Sequence, residues 1–167
     1  MTEQERDWVQ DVGAPAYASI AEMVAALECD YERMEELRDE RDNWTASTWA
    51  TENPDDDKEL KDLEDAAGEC ESREEAKQRI EEYPLSLRIF NERVGGEWTA
   101  DRFELLLSTG GPAVRIMGEL DGNTEPYRAW LEVQDWYKPW TQYFPADQDT
   151  LLAYCRCFCP KLFLLLF

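Results

Sequence analysis

The spacing of apolar residues changes at Pro84, and that change most limits what the chain can fold into. Before it, Ile20, Val24, Leu27, Tyr31, Met34 and Leu37 recur in steps of three and four, close to a heptad seam. After it, Leu85-Ser86-Leu87-Arg88-Ile89-Phe90 alternates apolar with polar, the period of a half-buried strand. A run of helices followed by a run of strands predicts an α+β architecture.

The helical part resolves further. Pro15 suits a first helical turn, and the seam extends that helix to about Asp42. Asn43 to Pro54 interrupts the pattern, with Trp44 and Trp49 inside the interruption. A second helix is expected from Asp55, Asp56 and Asp57, which favour a helix N-terminus through capping and the macrodipole. Its seam is Leu60, Leu63, Ala67 and Cys70. Gly68 weakens it, and Ser72-Arg73-Glu74-Glu75 reads as a capping box that starts a further helix carrying Ala76 and Ile80. Residues 1–82 are therefore expected to form an acidic, coiled-coil-like antiparallel helical hairpin.

Residues 83–167 are expected to form a four-stranded antiparallel sheet with one C-terminal helix, joined to the hairpin in one compact unit. After the strand at 85–90, Gly95-Gly96 marks a turn, Phe103–Leu107 a strand, and Ser108-Thr109-Gly110-Gly111-Pro112 a strong turn. Ala113 to Leu120 alternates again, and Asp121-Gly122-Asn123 turns the chain. The fourth strand, Arg128 to Trp136, puts Ala129, Leu131 and Val133 on one face and Trp130, Glu132 and Gln134 on the other. The helix, Asp147 to Cys157, is capped by Asp147 or Asp149 and turns Leu151, Leu152 and Cys155 inward.

Charge separates the halves more sharply than hydropathy does. The 167 residues carry a net −21, yet residues 1–82 hold 27 acids against 9 bases and residues 83–167 hold 11 against 8. PDDDKELKDLED at 54–65 has seven carboxylates in twelve positions. Such a chain is repelled by nucleic-acid phosphates and anionic membranes and attracts basic proteins or cations. No direct nucleic-acid or membrane partner is expected, and no apolar run is long enough to span a bilayer. Histidine is absent, which removes the commonest general base and metal ligand. An odd number of cysteines (Cys29, Cys70, Cys155, Cys157 and Cys159) and no apolar N-terminal signal point to a reducing cytoplasm. The tail Leu162–Phe167 is apolar, suited either to packing on the core or to an exposed end.

Off the seam the acids fall in rows. Glu28, Glu32, Glu36 and Glu40 repeat at i, i+4, and Glu35 and Asp39 run parallel to them. Like charges at that spacing cost a few tenths of a kcal/mol each, and Arg33, Arg38 and Arg41 offset them only in part. One reading is a solvated helix face. The other is that the row is the working surface. Residues four apart rise about 6 Å along a helix, and the phosphates of one DNA strand advance about 3.4 Å per base pair. Two acidic helices can then present charge in rows that a DNA-gripping protein would accept. The candidate contact residues are Glu28, Glu32, Glu35, Glu36, Asp39, Asp55, Asp56, Asp57, Asp62, Asp65 and Glu69.

Other motifs carry less. STGGP lacks the spacing and the lysine of a phosphate loop and reads as a hairpin turn. The aromatic stretch 134–144 reads first as core packing at the sheet edge, and alternatively as an interface hot spot. Cys155, Cys157 and Cys159, at alternate helical positions, do not converge on a zinc ion. The spacing of Asp55–Asp57 is not that of a calcium loop. Neither a cofactor nor a metal is expected. With no pair singled out among 38 acids and no base for a thiol, enzymatic activity is not expected either. The hairpin seam also allows a homodimer, in which the acidic outside is only a solubility coat.

The stretches FELLLSTGGPAVRIMGELD, RAWLEVQDWYKPWTQYF and DTLLAYCR, with CESREEAKQRIEEYPLSL upstream, resemble a family of small acidic proteins of bacteriophages and mobile elements. The resemblance covers roughly residues 65–158. The ending CPKLFLLLF departs from that family's short polar ending. It implies an anti-CRISPR or anti-restriction inhibitor acting in the host bacterial cytoplasm, and carries over no catalytic residue.

Overall fold

In the computed structural model, residues 3–158 are described. Five helices come first: α1 Glu3–Glu28, α2 Tyr31–Asp42, α3 Ala46–Glu52, α4 Pro54–Ala67 and α5 Arg73–Glu82. Five strands follow: β1 Ser86–Val94, β2 Glu97–Ser108, β3 Ala113–Leu120, β4 Pro126–Gln134 and β5 Thr141–Gln142, then α6 Gln148–Arg156. The fold is α+β. Cys159 and the tail Leu162–Phe167 lie outside the described residues. The described chain forms two compact units, Glu22–Gln78 and the residues on either side of it.

In the helical unit the seam residues do what their spacing demands. Met34 and Leu37 of α2, Trp49 of α3, and Leu60 and Ala67 of α4 form one buried cluster with Cys29, flanked by Tyr31 and Leu63. A second cluster joins Ala26, Cys70 and Ala76. Three details differ from the expectation. The single helix 15–42 is two helices, because the Asp30 carboxylate accepts the Arg33 N–H at 3.0 Å and so caps a fresh start. The interruption at 43–54 contains α3, whose Trp49 is buried in the cluster. Ion pairs between α2 and α4 also rise along both helices together: Arg33 meets Asp56 and Glu59, and Arg38 meets Glu64. An antiparallel seam would join rising numbers to falling ones, so α3 acts here as a return leg between the two.

The ends of α4 and α5 follow their local chemistry. Pro54 occupies the first turn of α4, Asp55–Asp57 line that turn, and Gly68 ends the helix with φ +60°. Ser72 Oγ accepts the Glu75 N–H at 3.2 Å, and the Glu75 carboxylate reaches back to the Glu71 N–H at 2.8 Å.

The sheet unit is an antiparallel meander in the order β1-β2-β3-β4-β5. The four expected strands are present, and a two-residue fifth pairs with β4 through Glu132–Gln142 and Val133–Thr141. Register places Phe103 opposite Gly118, Leu105 opposite Ile116, and Ile116 opposite Leu131, so one face is continuously apolar. α6 packs on β4 with Leu151, Leu152, Tyr154 and Cys155 buried. Its start is fixed by Asp147, whose carboxylate accepts the Thr150 N–H at 2.8 Å. α1 begins well before Pro15, which sits inside it. The early turns are retained because they pack on this unit: the Tyr17 and Tyr143 rings lie 6.5 Å apart, and a side-chain carbon at Gly13 would overlap the Tyr143 ring.

Candidate functional site

The eleven candidate acids all fall in the unit Glu22–Gln78, which holds 21 acids against 7 bases, a net −14. Nine are exposed: Glu28, Glu32, Glu35, Glu36, Asp39, Asp55, Asp62, Asp65 and Glu69. Asp56 and Asp57 are half-buried, and the reason is visible in their partners. Arg33 reaches Asp56 at 3.6 Å, and Lys61 holds Asp57 at 2.6 Å. Glu36 is taken by Arg33 at 3.3 Å. The remaining eight form no ion pair within 4 Å among the described residues.

The three arginines of α2 are committed elsewhere. Arg33 donates to Glu59 from two nitrogens, at 3.3 and 3.1 Å. Arg38 bridges Glu64 at 3.0 Å and Glu71 at 2.9 Å, and Arg41 approaches Glu64 at 3.7 Å. Hydrogen bonds donated to Glu59 and Glu71, respectively, are the main reason that Arg33 and Arg38 hold their protons even more firmly than usual. These three cations knit α2 to α4, and the surplus acid is left outside.

The rows are shorter than their sequence suggests. Glu28 ends α1, and the break at Cys29-Asp30 detaches it from Glu32, Glu36 and Glu40 on α2. Asp62 and Asp65 lie on α4, while Glu69 lies past its end at Gly68. Between these acids Tyr31 is half-buried, its hydroxyl donating to the Ala26 carbonyl at 2.9 Å. Burial pushes its phenol up to about 12, with the Cys70 and Cys29 sulfurs adding to the effect. Cys29 is raised chiefly by burial, then by Asp30. A cleft of about 440 Å³ opens beside Tyr31, rimmed by Glu28, Asp30, Glu32 and Arg73.

The sheet unit treats charge differently. On the face opposite α6, Arg115 of β3 binds Glu104 of β2 at 2.7 Å and Glu132 of β4 at 2.6 Å. Arg88 of β1 adds to Glu104 at 3.3 Å. The Trp140 ring lies 4.1 Å from the Arg115 guanidinium, and Trp130 donates to Glu132 at 2.8 Å. Glu104 is only 5% exposed. No sequence motif marks this ladder. The signal that reveals it is strand register, which sets Arg115 opposite Glu132.

The aromatic stretch 134–144 is not mainly core. Tyr143 is buried and Trp140 half-buried, but Trp136, Tyr137 and Phe144 are exposed by 64, 103 and 74%. The physical cause is the short β5: the strand that would carry these rings across the sheet is only two residues long. Trp136 lies over Gly111, which has φ +119° and no room for a side chain, and a groove of about 250 Å³ runs beside it.

Among the described residues no cluster of acidic or thiol side chains is arranged as a metal site, and no helix is long and apolar enough to cross a membrane. Cys155 and Cys157 are buried on and just after α6, and the third cysteine of that set, Cys159, falls outside the described residues. Compared with known proteins, the chain matches no family model, and neither a curated protein nor a solved structure shows significant similarity to it.

Proposed function

We propose that the unit Glu22–Gln78 is an acidic decoy for the basic, nucleic-acid-binding surface of a bacterial defence complex. The protein would then be a phage-encoded anti-CRISPR or anti-restriction inhibitor that works in the host cytoplasm without catalysis. The observation that carries this reading is the division of charge. Arg33, Arg38 and Arg41 are consumed inside the unit, while Glu28, Glu32, Glu35, Asp39, Asp55, Asp62, Asp65 and Glu69 are left uncompensated. An unpaired surface of this kind attracts a cationic groove, and the attraction weakens as salt screens it. Rows on α2 with a rise of about 6 Å per four residues give that groove a regular array in place of phosphates.

The test is affinity capture on the immobilised protein from bacterial lysate, eluted by a salt gradient. The expected result is a nucleic-acid-binding defence complex, released by salt and displaced by duplex DNA. Charge reversal at Glu32, Glu35 and Asp39 should abolish capture. Retention by that triple variant would falsify the reading.

A second reading has its own observation. Trp136, Tyr137 and Phe144 are exposed together on one segment of the sheet unit, and large aromatics of this kind anchor interfaces. A captured partner that survives high salt and ignores DNA would place the contact there.

A further inference from the structure

We propose that β1 is the interface of a two-fold dimer, in which the edge strands of two copies pair antiparallel about Phe90. Among the described residues β1 pairs only with β2, along all nine residues from Ser86 to Val94. Its outer edge thus presents a row of backbone donors and acceptors suited to another strand. The opposite edge, β5, is two residues long and offers almost nothing.

Natural sheets blunt such an edge with proline, charged side chains (lysine above all), or a bulge that twists the strand away. β1 contains neither proline nor lysine, and its three charges, Arg88, Glu92 and Arg93, are of both signs. The irregularity in its pairing with β2 puts the extra residue, Asp101, on β2: Phe90 faces Arg102 and Asn91 faces Ala100. β1 therefore keeps its own alternation. Phe90 is 37% exposed, and Leu85 and Trp98, at the two ends of the β1–β2 hairpin, are exposed by 61 and 71%.

Charge selects the partner. Arg88, Phe90 and Glu92 alternate onto one face of β1. Antiparallel pairing of two copies centred on Phe90 sets each Arg88 directly opposite the Glu92 of the other copy and each Phe90 opposite its equivalent. Such a contact is isologous and closes on itself. Moving the register by one residue so that Arg88 meets Arg93 would put like charges face to face, and only the alignment centred on Phe90 pairs Arg88 with Glu92. Glu104 occupies one terminal nitrogen of Arg88, and the guanidinium has further donors for Glu92. This dimer lies in the sheet unit and uses none of the acids of the proposed inhibitory surface.

The experiment is molar mass by light scattering and sedimentation velocity over a concentration series, on the full chain. The expected result is a concentration-dependent dimer whose Kd rises at least tenfold in R88E and in E92R. Mixing those two variants should restore dimer, because in the mixed pair an acid faces a base at both contacts. A wild-type monomer at every concentration, or a mixture that stays monomeric while both variants fold, overturns the proposal. Should R88E fail to fold beside Glu104, E92R alone decides: Glu92 is exposed and has no ion-pair partner among the described residues, so an unchanged Kd overturns the proposal. A dimer that E92R leaves intact but a Leu63→Glu substitution disrupts would place the interface on the helical seam instead.

Discussion

The two units of this protein use arginine in opposite ways. In the sheet unit, Arg115 sits between Glu104 and Glu132 with Trp140 over its face, and with Arg88 beside Glu104 the local charges balance. In the helical unit, Arg38 bridges Glu64 and Glu71 at the surface, a third exposed, and acids outnumber bases three to one. The first arrangement holds a fold together. The second stitches two helices while leaving a large negative surplus without ion-pair partners among the described residues. Surplus charge that no cation of the fold takes up makes the helical unit the better candidate for binding.

The largest effect should therefore come from the sheet. Arg115→Ala leaves Glu104 buried beside only a 3.3 Å contact from Arg88, and removing one member of a buried pair costs about 3 kcal/mol. Urea denaturation should show it. Adding Glu104→Gln should recover part of the loss, because the amide no longer brings a charge indoors. A cost for Arg115→Ala as small as that of a surface pair would mean that the ladder is solvated and the contrast between the units is false.

Arg38→Ala is the matching change in the helical unit. Glu71 is largely exposed and Glu64 about a third exposed, so the cost should be about 1 kcal/mol, and it should shrink further in salt. Melting curves at two ionic strengths would measure this, and a loss equal to that of Arg115→Ala would remove the distinction.

How far all this could be read from the sequence depends on the range of the physics involved. The change of apolar period at Pro84 and the capping box at Ser72 are local, and each was legible; the cap of the last helix was narrowed to Asp147 or Asp149, and Asp147 fills it. The exposure of most candidate acids was legible too, because they lie off the seam. The break at Asp30 was not, since the step from Leu27 to Tyr31 keeps the seam spacing while a single carboxylate chooses to cap. The Glu104–Arg115–Glu132 ladder needs the register of three strands, which no window of one strand contains. The exposure of Trp136, Tyr137 and Phe144 follows from the length of β5, and composition does not encode which side of a sheet edge an aromatic takes.

The helical unit should also respond to alkali in a way that reports its packing. Tyr31 has an ordinary pKa of 10.0 and is held up to about 12 in the fold, chiefly by burial. Above pH 10 the unfolded chain releases this proton before the folded one does. The contribution is intact below that point and is lost as pH rises toward 12. Tyr31→Phe should remove this component, so the difference between wild-type and variant urea midpoints should narrow over that window. A constant difference would mean that the phenol is solvated in the folded protein.

The smallest expected change is the most telling for function. Glu32 and Glu36, and Glu35 and Asp39, stand at i, i+4 on α2, where like charges destabilise a helix by a few tenths of a kcal/mol per pair. Of these four, only Glu36 has an ion-pair partner among the described residues, Arg33. Glu35→Gln with Asp39→Asn should accordingly raise the melting temperature slightly while weakening capture of a basic partner. Stability and binding would then move in opposite directions for the same two side chains. If neutralisation lowered stability, the acids would be contributing to the fold, and the surplus charge would need no partner to explain it. A gain in stability together with a loss of binding would mean that α2 carries this charge at the expense of its own helix.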